Sequence, residues 1–163
     1  MISLHRHLAN EVHKYVDNRA KTFQDLGVKY YRAFGTDQHA ISSQIRNLEQ
    51  ITYQAERLVD IENFIKIQMG KDGGGAANWR KVGKETLVEL NKFREDAKAH
   101  VKGFIKDHKD YALPEHLTQQ DLELEVRLRL GRGCIRTLVS EYLFQKALND
   151  QGFREQPVGG AAG

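Results

Sequence analysis

Two prolines among 163 residues leave few obligatory breaks for a helix, and the single cysteine, Cys134, excludes an internal disulfide. No apolar run approaches the roughly 18 residues of a membrane-spanning helix. The amino-terminal MISLHRHLANE also lacks the apolar segment of a signal peptide, so the expectation is a cytoplasmic protein. A large excess of one charge is missing too. With 25 Lys and Arg against 22 Asp and Glu, the formal net charge is +3, and only the placement of charges can argue for a polyanionic partner. No Gly-Lys-Ser/Thr ending follows a predicted strand and no H-E-x-x-H occurs, which removes the usual grounds for nucleotide or catalytic-metal chemistry. No catalytic motif appears. The sequence predicts a protein that is not an enzyme, with no cofactor and no metal.

What the chain does contain is 29% charged and 40% hydrophobic residues, the profile of a soluble, folded helical protein. Its length fits one domain, expected over residues 1–150. The segment from Gln151, ending PVGGAAG, reads as a flexible tail over 151–163. The longest pattern runs from Asp37 to Met69, without Pro or Gly. There Ile41, Ile45, Leu48, Thr52, Ala55, Leu58, Glu62 and Ile65 step by fours and threes along one face, broken only by Glu62. This predicts a helix of about 50 Å along which the others pack.

Before it, Ser3 to Phe34 repeats apolar residues at Leu4, Leu8, Val12, Val16, Phe23, Leu26 and Tyr30, with Ser3 placed to cap the start and Gly35 the end. Gly27 is a candidate kink. A short connection capped by Thr36 or Asp37 predicts antiparallel packing of these two helices. After Gly70, four glycines within residues 70–75 read as a flexible hairpin connection. A third helix is expected from Asn78 to Tyr111, with Trp79, Val82, Leu87, Leu90, Phe93, Ala97, Val101, Phe104 and Ile105 on its core face. A fourth begins after Pro114, where Thr118, Asp121, Leu117 and Leu122 spell a capping box with a hydrophobic staple, and runs to Asn149. Within it, Gly131 and Gly133 suggest close approach of another helix or a bend. Cys134 sits at helical spacing with Leu130, Leu138 and Tyr142, as a buried thiol would. The predicted fold is all-α: a bundle of four long helices in two antiparallel hairpins.

Charges are sorted on the last two helices. Lys84, Lys98, Lys102 and Lys109 share a narrow arc, with Arg80 and Lys106 beside them, while Glu85, Glu89, Asp96 and Asp107 form a separate acidic stripe. From Val126 to Ser140 there are four arginines and no acid. Arg129, Arg132 and Arg136 fall within about 60°, whereas Arg127 points towards the apolar stripe and could pair with a buried carboxylate such as Glu62. Guanidinium suits phosphate because its planar fork donates two hydrogen bonds at once. An arginine face making ordinary salt bridges to a neighbouring helix explains the pattern equally well.

Among other candidates, His5 and His7 diverge by about 200° on a helix. His13, His39, His100, His108 and His116 have no carboxylate or cysteine at ligand spacing. Ser42 and Ser43 read as first-turn polar residues. Trp79, Tyr53, Tyr30 and Tyr31 could stack on bases, with Trp79 the most core-like.

The run AISSQIRNLEQI, Ala40 to Ile51, resembles the segment opening a core helix in the small helical subunit of type III CRISPR effector complexes. The matching stretch is Ser42-Ser43-Gln44-Ile45-Arg46-Asn47-Leu48. The resemblance implies a non-catalytic subunit of a ribonucleoprotein, set beside a guide–target RNA duplex, with other effector proteins and further copies of itself as partners. It adds Arg46 as a candidate contact. Together with Lys98, Lys102, Arg129, Arg132 and Arg136, which charge placement nominates, it gives an expected nucleic-acid-binding set. The competing reading is a helical protein–protein adaptor or self-assembling bundle with no nucleic-acid role.

Overall fold

The computed structural model describes residues 4–35, 41–73, 75–109 and 113–150. The expected caps at Ser3, Thr36 and Asp37, the helix end at Tyr111, His39 and the 151–163 tail lie outside them. Among the described residues the fold is all-helical, as expected, but six helices stand where four were expected: α1 (Leu4–Asn18), α2 (Ala20–Phe34), α3 (Ile41–Gln54), α4 (Leu58–Gly70), α5 (Ala76–Asp107) and α6 (Gln119–Asp150).

The two extra breaks fall where the sequence carries no Gly or Pro. The first is at Arg19, not Gly27. The Arg19 amide is shared between the carbonyls of Tyr15 and Val16, both at 3.1 Å, and its backbone sits at φ −102°, ψ 5°. The bonds from the Arg19 amide to Tyr15 and from the Phe23 amide to Arg19 survive the interruption. The second break splits the expected 37–69 helix at residues 55–57. Arg57 is extended, and the Asp60 carboxylate accepts the amides of Glu56 (3.2 Å) and Arg57 (3.0 Å), so the start of α4 is satisfied by its own third residue. At the other side, the Arg132 guanidinium donates to the carbonyls of Thr52 (3.2 Å), Tyr53 (3.4 Å) and Ala55 (2.9 Å), which α3 leaves open. Because donors and acceptors on both sides are met, the interruption costs little. The apolar seam runs through it unshifted: Ile45, Leu48, Ala55, Leu58, Ile61 and Ile65 are all buried.

The scaffold of the molecule is α6 rather than the 37–69 segment. All five other helices pack on it. Leu122, Val126, Leu128, Leu130, Cys134, Ile135, Leu138, Val139 and Tyr142 are buried along its length, a spread wider than the stripe of a surface helix, leaving a narrow wet arc that carries Arg136 and Leu143. Three glycines set the approach. A Cβ at Gly27 would lie 2.5 Å from the Leu138 carbonyl oxygen, one at Gly133 2.6 Å from Val16, and one at Gly131 2.6 Å from Leu58. Close approach, not a bend, is therefore the role of Gly131 and Gly133. α6 starts as its sequence spells out: the Thr118 hydroxyl accepts the Asp121 amide (3.1 Å) and Asp121 accepts the Thr118 amide (2.8 Å). The Thr118 amide, and then the Thr118 hydroxyl, which donates to the same carboxylate at 2.7 Å, hold the Asp121 carboxyl below its ordinary pKa.

Pairing also differs from two simple hairpins. α4 and α5 do form a hairpin, joined through the glycine-rich stretch, where Gly73 takes φ 72°. The α1–α2 arm instead packs on α6 and α5, running parallel to α6, from Val16 against Gly133 to Gly27 against Leu138. It runs antiparallel to α5: Tyr15 meets Asp96, Arg19 meets Glu89, and Tyr30 meets Thr86. Trp79 is fully buried, with rings of Phe34, Tyr30 and Phe64 at 5.2, 5.9 and 5.9 Å and its indole N–H on Gln44. It ties α2, α3, α4 and α5 together, and so is not available to stack on a base.

Glu62 is buried, but its partner is Arg94, which grips the carboxylate at 2.6 and 2.8 Å. That hydrogen bonding holds the Arg94 pKa above its ordinary value. The expected Arg127–Glu62 pair does not form, and the Arg127 Nε is buried without a hydrogen-bond partner. α4 and α5 meet directly as a hairpin, so an arginine on α5 reaches Glu62 first.

Two pairs of substitutions test this architecture by urea unfolding. Gly27→Ala forces a methyl against the α6 backbone and should cost about 1–3 kcal/mol. Gly103→Ala, on a helix position with nothing within 4 Å of the new Cβ, should stabilise by about 0.5–1 kcal/mol. Arg94→Met strands the Glu62 carboxylate and should cost about 3 kcal/mol, most of it recovered by adding Glu62→Leu. Arg127→Met removes an unsatisfied donor and should change stability by no more than about 0.5 kcal/mol.

Candidate nucleic-acid interface

Arg129, Arg132 and Arg136 converge as their spacing suggests. They line one side of a groove of about 630 Å³ between α1 and α6, whose other wall is Ala9, Val12, His13, Val16 and Asp17. The groove exists because Gly133 lets α1 settle close against α6 while the long arginines spread on either side.

The three guanidiniums are not equivalent. Arg132 is committed to the open carbonyls at the end of α3, a cationic cap on the negative end of a helix. Arg129 pairs with Glu125 one turn before it, at 2.8 Å, with about a third of each side chain exposed. Arg136 is exposed, and its guanidinium carbon stands 5.9 Å from the centre of the Tyr53 ring. Tyr53 itself is 59% exposed. Among the four aromatics that could stack on bases, Trp79 and Tyr30 are core, Tyr31 is half-buried against Tyr142, and Tyr53 alone presents an open ring.

Arg46 is exposed on α3, two turns before Tyr53 and on the same face. Arg46, Tyr53 and Arg136 thus form an exposed line that leads to the arginine groove. Lys98 and Lys102 are exposed on α5, but neither lines this groove. Other cations named from sequence have structural work: Arg80 donates to the carbonyls of Met69 (2.9 Å) and Lys71 (3.0 Å), closing the end of α4. The acidic stripe is likewise engaged, with Glu85 on Lys29, and Glu89 between Arg19 (2.5 Å) and Lys92 (2.8 Å).

One constellation escaped the linear reading. His7 and Glu11 of α1 face Asp96, His100, Asp107 and His108 around a cavity of about 330 Å³, floored by Ala99, Gly103 and Phe104. The rings of His7 and His108 are 4.7 Å apart, and His108 stacks on Phe104 at 4.4 Å. Beside it, the Tyr15 hydroxyl donates to Asp96 and accepts from Arg19 (2.9 Å). Burial first, and then the Asp96 carboxylate, push the Tyr15 pKa upward. Contrary to the expectation that His100 has no carboxylate at ligand spacing, Asp96 stands one turn before it and Asp107 shares that face of α5; only the antiparallel contact with α1 brings His7 and Glu11 to them. No group of three or more His, Cys, Asp or Glu among the described residues is arranged to hold a metal ion. Cys134 is fully buried, and burial raises its thiol pKa well above the ordinary value, away from the thiolate form a nucleophile needs. No helix among the described residues is long and apolar enough to cross a membrane.

No protein-family model, no curated protein and no solved structure matches this chain.

The division of labour among the arginines has a direct consequence. Arg132→Ala should lower stability by about 1–2 kcal/mol, by uncapping the three carbonyls at the end of α3. Arg136→Ala should stay within about 0.5 kcal/mol of the parent. Thermal unfolding of the two variants side by side measures this difference, and equal losses would contradict the assigned roles.

Proposed function

We propose that this chain is a non-catalytic subunit that associates with RNA, laying the exposed face of α3 and α6 along a phosphate backbone. The observation that carries the reading is the convergence of Arg129, Arg132 and Arg136 on one groove, continued by an open Tyr53 ring and by Arg46. Arg136 and Arg46 supply the cations that internal pairing leaves accessible. Arg129 can exchange its partly exposed partner Glu125 for phosphate at modest cost, because such i,i+4 pairs are worth only about 0.3–0.5 kcal/mol. Tyr53 offers a base a flat face without sequence preference. Binding of this kind is electrostatic, tolerant of sequence and salt-sensitive. Lys98 and Lys102 extend the cationic surface on α5, and membership of a CRISPR-type effector complex follows from the resemblance of Ala40 to Ile51.

A second reading, a protein–protein adaptor without a nucleic-acid role, is favoured by one specific observation. Two of the three groove arginines already have partners within the chain.

Combined reversal of Arg46, Lys98, Lys102 and Arg136 to Glu leaves the Arg132 cap intact and should preserve helicity by circular dichroism. Binding of a fluorescein-labelled RNA of about 20 nucleotides should weaken by more than roughly tenfold. The log–log salt slope should shrink by about 0.7 for each phosphate that the variant no longer neutralises. An affinity and slope unchanged by the reversal would remove the RNA reading and leave the adaptor.

A further inference from the structure

A second groove, of about 670 Å³, lies between α4 and α5 and shares no lining residue with the arginine groove. Its lining is part apolar, from Met69, Leu87 and Val88, and Val88 is 51% exposed although it sits in the middle of a long helix. Four cations border it: Lys66, Lys84, Lys92 and Arg94. Two of them are already matched, Arg94 by Glu62 and Lys92 by Glu89. Lys66 on α4 and Lys84 on α5 are exposed and have no carboxylate partner among the described residues. Each helix therefore contributes one uncompensated ammonium group to a groove that also holds an exposed Val88, flanked by the partly buried Leu87 and Met69.

We propose that this groove docks an acidic amphipathic helix of a partner protein. Its apolar face would cover Leu87, Val88 and Met69, and its carboxylates would meet Lys66 and Lys84. A helix laid in a groove between two helices is a recurrent way to bury an exposed apolar strip, with flanking charges fixing orientation. The flexible thioether of Met69 adapts to the side chains it receives. A phosphate backbone satisfies the two lysines but leaves Val88 facing water, so charge and apolar surface together select carboxylate-bearing peptide over nucleic acid. The assignment stands independently of the RNA reading, because it uses none of the same residues.

The test is selection of a phage-displayed library of random peptides of about 16 residues against the full chain. The best binder is then synthesised with fluorescein for titration. Enriched sequences should place Leu, Ile or Phe at i, i+3 or i+4 and i+7, with Asp or Glu flanking them. Affinity should fall by about tenfold or more in Lys66→Glu with Lys84→Glu, and separately in Val88→Asp. Arg136→Glu should leave peptide binding unchanged while weakening RNA. Failure to enrich any peptide, or enrichment of peptides indifferent to both groove variants, would overturn the proposal. So would loss of RNA binding in the Lys66 and Lys84 variant without any peptide binding, which would give the groove to nucleic acid.

Discussion

The packing of the other five described helices against α6 is the constraint from which the rest of this structure follows. A helix of 32 residues can be surrounded only if its neighbours come close, and backbone approach is limited by the first carbon of each side chain. Gly27, Gly131 and Gly133 remove that carbon at three places, where α6 meets α2, α4 and α1 in turn. Once α6 is central, a single uninterrupted helix over 37–69 is no longer required. The chain can break at residues 55–57, because Arg132 of α6 is there to receive the carbonyls that the break exposes. The same arginine that looks on a helical wheel like a phosphate ligand is part of the mechanism that folds the chain.

This double use explains the character of the candidate interface. The α1–α6 groove is cationic by composition, yet most of its charge is anchored: Arg132 to backbone oxygen, Arg129 to Glu125. The accessible charge has moved to the edge, where Arg136 stands over Tyr53 and Arg46 continues the line along α3. An interface of this kind suits a ligand that runs across the surface rather than one that enters a pocket. The α4–α5 groove has the opposite character, with two of its four cations matched internally and an exposed Val88 beside the partly buried Leu87 and Met69 in its lining. The molecule thus offers two surfaces of different chemistry on different helix pairs.

Much of this was legible before any coordinates. All-helical content follows from the apolar periodicity and the scarcity of proline. The start of α6 is written in Thr118 and Asp121, the α4–α5 connection in its glycines, and the core places of Trp79 and Cys134 in their phase on the helices. The convergence of Arg129, Arg132 and Arg136 is also a property of one helix, and spacing alone gives it. The two unexpected breaks were not legible, because beside their local hydrogen bonds each carries a bond to a distant helix. At Arg19 the ion pair reaches Glu89, 70 residues away; at Ala55 the donor is Arg132, 77 residues away.

Local physics, then, determined what each segment is: which stretches become helices, which faces turn inward, and which charges share an arc. Tertiary structure alone decided which charges remain available. Glu62 took Arg94 rather than Arg127, and Arg132 took the end of α3. His7 and Glu11 met Asp96, His100 and His108 across an antiparallel contact that no spacing along one helix encodes. The reason is range. Helix formation and capping are settled by bonds spanning four residues, whereas the choice of partner for a long charged side chain depends on which helix is packed beside it.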